Sequence, residues 1–182
     1  GANFTGSTQA KADINSSRWN GLTDFSVSFW QRSDSSQNSD LVSVTNNNAN
    51  EFRVFASNDG TLGLTIKGQS FTSSLSLNRT QWHHVVITRK ANQICVYSNS
   101  TLFGCANTSS TAALNALTAT LGALVNGSAY SRPYVGQLDE AVLFRHALTA
   151  QQVRYIYQNQ LAGNNYDSAQ RTDECLGCLS DS

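Results

Sequence analysis

Short segments in which apolar and polar residues alternate recur along most of the chain, and a strand whose side chains point to opposite faces is the element that produces such a period. In Asp24-Phe25-Ser26-Val27-Ser28-Phe29-Trp30-Gln31 the alternation puts Phe25, Val27 and Phe29 on one face. Comparable patterns predict strands over 40–45, 51–56, 61–67, 69–77, 82–89, 93–98, 102–105, 118–124 and 134–144. About ten strands separated only by turns point to an all-β, antiparallel sandwich rather than to βαβ units. Asn58-Asp59-Gly60 tolerates positive φ and can close a hairpin between 52–56 and 62–66. The run Asn46-Asn47-Asn48-Ala49-Asn50 breaks any strand and reads as an exposed loop.

One helix interrupts this pattern. Thr149 can cap it, Gln152 completes a capping box, and Val153, Ile156, Tyr157 and Leu161 form an apolar stripe. Gly163 can end it. From Asn164 to Ser182 the chain is polar, so the sequence divides into a domain over 1–163 and a cysteine-containing tail over 164–182.

Length and charge narrow the function. A chain of 182 residues with 40% hydrophobic content can bury a full core without a second domain. Its 12 basic and 12 acidic residues cancel, and no Lys/Arg run offers a footprint for phosphate backbones or anionic lipid, which argues against nucleic acid as a partner. The longest apolar stretches, such as 85–87 and 141–144, are too short for membrane insertion. The chain starts at Gly1 and has no Met, as expected of a processed form or an excerpt. Four cysteines in a Ser/Thr/Asn-rich chain favour an oxidising compartment, secreted, extracellular or at the cell surface. Six N-glycosylation triplets, at Asn3, Asn15, Asn78, Asn99, Asn107 and Asn126, point the same way, although about four would arise by chance in such a composition.

Three segments, taken in order, resemble the laminin-G-like jelly-roll family, which is similar to pentraxins and other concanavalin-A-like domains. The first is Phe25-Ser26-Val27-Ser28-Phe29-Trp30. The second is Trp82-His83-His84-Val85-Val86-Ile87-Thr88-Arg89, followed by Ile94-Cys95-Val96-Tyr97. The third is Gly136-Gln137-Leu138-Asp139-Glu140-Ala141-Val142-Leu143-Phe144, followed by Ala147-Leu148-Thr149-Ala150-Gln151-Gln152-Val153 and the helix. Where the family often places Asp-Gly after the second segment, this chain has Ser98-Asn99-Ser100-Thr101, a turn that doubles as a glycan acceptor. The resemblance implies an antiparallel jelly-roll β-sandwich that binds glycans or extracellular proteins, with calcium as the family's commonest cofactor.

The residues that could carry chemistry are few. Glycoside hydrolysis on this fold needs two carboxylates converging from one strand, and the one strand-borne acidic pair, Asp139 and Glu140, is adjacent and so expected on opposite faces. His83 and His84 lie in a core strand and read as structural. Cys175-Leu176-Gly177-Cys178 has the spacing of a zinc half-site but lacks a second cysteine pair. Cys95 and Cys105 lie on the two arms of one predicted hairpin and can bridge it, leaving Cys175 and Cys178 to pair locally or with another chain; the sequence does not select one connectivity. Candidate calcium ligands are Asp40, Asn46, Asn48, Asn50 and Asp139, although Asn-rich loops are more often solvated turns. Candidate aromatic platforms for a sugar are Trp19, Tyr130 and Tyr134, although such aromatics are more often ordinary packing.

Two functions from different classes follow. One is a non-catalytic module that recognises glycan or protein partners through the loop edge of the sandwich. The other is a structural subunit of an extracellular fibre, sheath or coat that self-associates through its tail and terminal cysteines. A tail reaching into another copy would favour assembly, and a tail folded back on its own domain would favour simple binding.

Overall fold

A computed structural model of the chain describes residues 1–6, 11–34, 36–127 and 129–170. Among these residues the strands, in chain order, are β1 (Ala2–Thr5), β2 (Ala12–Asp13), β3 (Phe25–Ser33), β4 (Ser39–Asn46), β5 (Ala49–Ala56), β6 (Thr61–Ile66) and β7 (Gln69–Ser76). They continue as β8 (His83–Lys90), β9 (Gln93–Ser98), β10 (Thr101–Asn107), β11 (Thr118–Leu121), β12 (Leu124–Asn126), β13 (Ala129–Ser131) and β14 (Val135–Phe144). One helix, α1 (Ala150–Leu161), follows. Two antiparallel six-stranded sheets, ordered β1-β14-β3-β8-β9-β10 and β2-β11-β4-β5-β6-β7, stack face to face, and β12 and β13 form a separate hairpin. The all-β sandwich with a short C-terminal helix is therefore the architecture.

The core lies between the sheets. Phe25, Val27 and Phe29 of β3 enter it from the first sheet, and Val42, Val44, Phe52, Val54, Leu62 and Leu64 from the second. The Phe25 and Phe52 rings meet edge to face at 5.1 Å, and Trp19 stacks on Phe52 at 5.8 Å. Burying rings and branched side chains of this size contributes about 1.5–3 kcal/mol each.

Strand β8 is apolar on both faces because both are covered. Val85 and Ile87 join the core, whereas Val86 on the outer face packs with Cys95, Tyr97, Leu148, Val153 and Ile156 beneath α1. The helix begins with the expected capping box: Gln152 N–H donates to Thr149 Oγ1, and Thr149 N–H donates to Gln152 Oε1. Its stripe differs from expectation at one end. Leu161 is 64% exposed, and the buried position next to it belongs to Gln160.

The predicted strand over 118–124 divides into β11 and β12 at Gly122, whose φ of +82° is that of a turn and whose α-carbon lies so close to the Phe4 ring that a Cβ would sit 2.3 Å from it. The short strands β1, β2 and β13 were beyond the reach of a periodicity argument. Residues 164–170 fold back: Asn164 pairs with Gln170, and Tyr166 meets the Phe144 ring edge to face at 5.5 Å. Cys175 and Cys178 lie outside the described residues. No helix among the described residues is long and apolar enough to cross a membrane.

Candidate functional site on the outer face of the second sheet

Strand β5 sends Phe52 and Val54 inward, so Arg53 and Phe55 stand on the outer face of the second sheet. Register places Asp40 of β4 and Gly63 of β6 directly beside Phe55. Gly63 is what lets the ring lie across the sheet, since a Cβ there would come within 2.3 Å of two Phe55 ring carbons. The same face carries Thr65 in register with Ser70, their hydroxyl oxygens 3.1 Å apart, and the exposed Thr72 opposite Gly63.

Asp40 is wholly buried and saturated by two arginines. Arg53 donates from Nε at 2.6 Å and from Nη2 at 2.8 Å, and Arg132 donates from Nε at 2.7 Å. Arg132 follows β13, and its carbonyl accepts from the Asp40 N–H at 3.0 Å, so the cluster also ties the β12–β13 hairpin to the start of β4. The guanidinium carbons stand 5.0 Å (Arg53) and 5.5 Å (Arg132) from the centre of the Phe55 ring. Two guanidinium charges over one carboxylate leave an excess of one positive charge beside an aromatic face.

The hairpin forms a wall along this face, with Val125 N–H donating to Ser43 Oγ at 3.4 Å. On β13 the half-buried Tyr130 carries Lys11 over its ring, 4.2 Å from the centre. Asp13, 2.5 Å from the Lys11 amine, holds that amine above its ordinary pKa and so keeps it charged. Lys11 and Asp13 thus form a neutral ion pair beside Tyr130.

The other expected site residues are dispersed. Trp19, a candidate platform, is packing instead: it is 2% exposed because the turn over Ser16–Arg18 drives its indole between Phe25 and Phe52. Tyr134 is also core: its hydroxyl donates to Gln31 Oε1 at 2.9 Å, and burial raises its pKa. Of the three expected aromatics, only Tyr130 reaches the surface near the basic face. The calcium candidates do not converge. Asp40 spends its oxygens on two arginines, Asn46, Asn48 and Asn50 lie at the far end of β4, roughly 20 Å along the strand, and Asp139 is on the first sheet. Among the described residues no three His, Cys, Asp or Glu side chains group as metal ligands. The donor set does not fit calcium.

Cys95 and Cys105 form a disulfide joining β9 to the edge strand β10. His84 is fully buried, its Nε2 2.8 Å from Ser28 Oγ, which accords with a structural histidine. Asn3, Asn15, Asn78 and Asn107 are exposed, Asn99 is half-buried with its Oδ1 accepting from the His84 N–H, and Asn126 ends β12. Asp139 and Glu140 depart from expectation. A bulge in β14, with Glu140 at φ +51°, brings both to one cleft instead of to opposite faces.

Two stacked antiparallel sheets of this order make a jelly-roll-like β-sandwich. The family model described as concanavalin A-like lectin/glucanases superfamily, of laminin-G type, matches residues 5–154, and the chain belongs to that family. Comparison with curated protein sequences found no match. Among solved structures, the SAP-like pentraxin of Limulus polyphemus, a native heptamer, is 18% identical, with a TM-score of 0.71 over 86% of this chain and 81% of that one. The CBM40 of the Ruminococcus gnavus IT-sialidase, bound to α2,3-sialyllactose, is 14% identical, with a TM-score of 0.65 over 73% and 82%. The NanB sialidase of Streptococcus pneumoniae is 20% identical, with a TM-score of 0.71; the match spans 85% of this chain but 27% of the sialidase. At these identities the likeness is one of fold.

Proposed function

We propose that the protein is a non-catalytic, extracellular glycan-binding module that receives an acidic sugar on the outer face of its second sheet. The observation that carries this reading is the pair of arginines held by buried Asp40 against the Phe55 ring. The ring offers an apolar surface to one side of a pyranose, and the guanidinium hydrogens not used by Asp40 suit a carboxylate. Sialyllactose, bound by the similar CBM40, carries such a group. The Cys95–Cys105 disulfide supports an oxidising compartment, and the exposed acceptors Asn3, Asn15, Asn78 and Asn107 support modification there.

Titration calorimetry with sialyllactose tests the reading. Arg132→Gln leaves Asp40 paired with Arg53 and is expected to weaken binding about tenfold, equivalent to ~1.4 kcal/mol. Absence of binding, or an affinity unchanged in Arg132→Gln, contradicts it.

A further inference from the structure

A slot of about 360 Å³ opens between the two sheets, on the core side of the second sheet, whereas the Asp40 cluster stands on its outer face. Strand register builds the walls. Leu143 of β14 lies opposite Val27 of β3 in the first sheet, and Leu121 of β11 lies opposite Val42 of β4 in the second. Val27 and Val42 are sealed in the core, while Ile14, Leu121 and Leu143 are only partly covered, so the slot runs from the rim of the sandwich down to its core. The Trp19 indole completes the apolar lining.

Two arginines stand where the slot meets solvent. Arg18 ends the turn over Ser16–Arg18 and Arg145 directly follows β14; both line the slot and both are exposed. Arg145 Nη1–H donates to the Arg18 carbonyl at 2.8 Å, which ties one guanidinium to the backbone that carries the other. Among the described residues neither arginine is in an ion pair, in contrast to Arg53 and Arg132, which share Asp40. No acidic side chain lines the slot among the described residues, so the two positive charges at its rim are not offset from within.

This arrangement selects a ligand with two unlike ends. Partly covered apolar side chains gain free energy when a hydrocarbon displaces water from them, and a sugar, hydroxylated around its rim, leaves most of that gain unrealised. Guanidinium groups at the opening attract an anion, and a planar carboxylate accepts from such a group through both oxygens. Stacked sheets lie about 10 Å apart, so a gap between their side chains admits a single chain in thickness. We infer that the slot binds a carboxylate of the fatty-acid type, its hydrocarbon chain between Leu121 and Leu143 and its head group on Arg18 and Arg145.

The site uses neither Arg53, Arg132 nor Phe55, so it stands or falls separately from the acidic-sugar reading. Decanoate is the probe, with decan-1-ol as its uncharged counterpart of equal chain length. The three tryptophans give three indole N–H signals in a ¹H–¹⁵N spectrum; Trp19 lines the slot, whereas Trp30 and Trp82 line the cleft beside α1. Asn15 also lines the slot and heads an acceptor triplet, so the protein is prepared without N-glycan. Decanoate at about 1 mM is expected to shift the Trp19 signal and leave Trp82 in place. The double substitution Arg18→Gln/Arg145→Gln, at two exposed positions, is expected to weaken decanoate binding about tenfold, while Arg132→Gln leaves it unchanged. Decan-1-ol is expected to bind about tenfold more weakly than decanoate and to be indifferent to the double substitution. No shift at Trp19, an unchanged decanoate affinity in the double variant, equal affinities for the two probes, or binding abolished by Arg132→Gln would each overturn the proposal.

Discussion

Burial of His84 beneath α1 gives the fold a pH dependence of definite sign. Desolvation lowers its pKa to about 4, and Nδ1 has no hydrogen-bond partner among the described residues, so the folded protein holds the ring neutral. In the unfolded chain the ring takes up a proton near pH 6.5. Above that pH the residue contributes nothing to the difference; below it the unfolded state binds the extra proton, and stability falls until pH passes through about 4. Urea unfolding is expected to show a loss of about 1 kcal/mol between pH 7 and pH 5.5, above the carboxylate range. An equal loss in His84→Gln would show that the histidine is not its source. At this scale the sequence was partly legible. The structural reading of His84 follows from its strand, but the placement of aromatics does not: Trp19, a candidate platform that could equally be packing, is core, while Trp82, predicted within a strand, stands in a cleft. Alternation carries no information where the backbone turns, and it misleads where a bulge shifts the phase, as at Asp139 and Glu140.

Among the elements, β10 is an edge strand with a covalent tie. It forms the edge of the first sheet, pairs only with β9, and exposes Leu102 and Phe103. The Cys95–Cys105 bridge pins it there, closing a loop with a sequence separation of 10. Replacing both cysteines by serine is expected to cost about 2–3 kcal/mol from loop entropy and to speed amide exchange in β10 before the rest of the sheet. An unchanged unfolding midpoint with unchanged exchange would show that the edge holds without the bridge. Most long strands and the capped helix were readable, because a six- to ten-residue alternation and a Thr-x-x-Gln box are local signals. The strands β1 and β2 were not, being two to four residues long and defined by partners distant in sequence, Leu138 to Val135 for β1 and Thr120 to Leu121 for β2.

The whole molecule is a family sandwich with differently furnished outer faces. On the first sheet α1 covers β8 and leaves a tryptophan-lined cleft at its end; on the second, Arg53 and Arg132 make a basic cluster around Phe55. The basic face could not be read from the sequence, since Asp40, Arg53 and Arg132 span 92 positions between the first and the last and meet only when β4, β5 and the exit of β13 come together. The most direct test is a map of backbone amide shifts on addition of sialyllactose. The largest shifts are expected on Arg53, Phe55, Gly63 and Arg132. Shifts concentrated on the β10 edge or at the Asn46–Asn50 turn, with those four amides still, would contradict it.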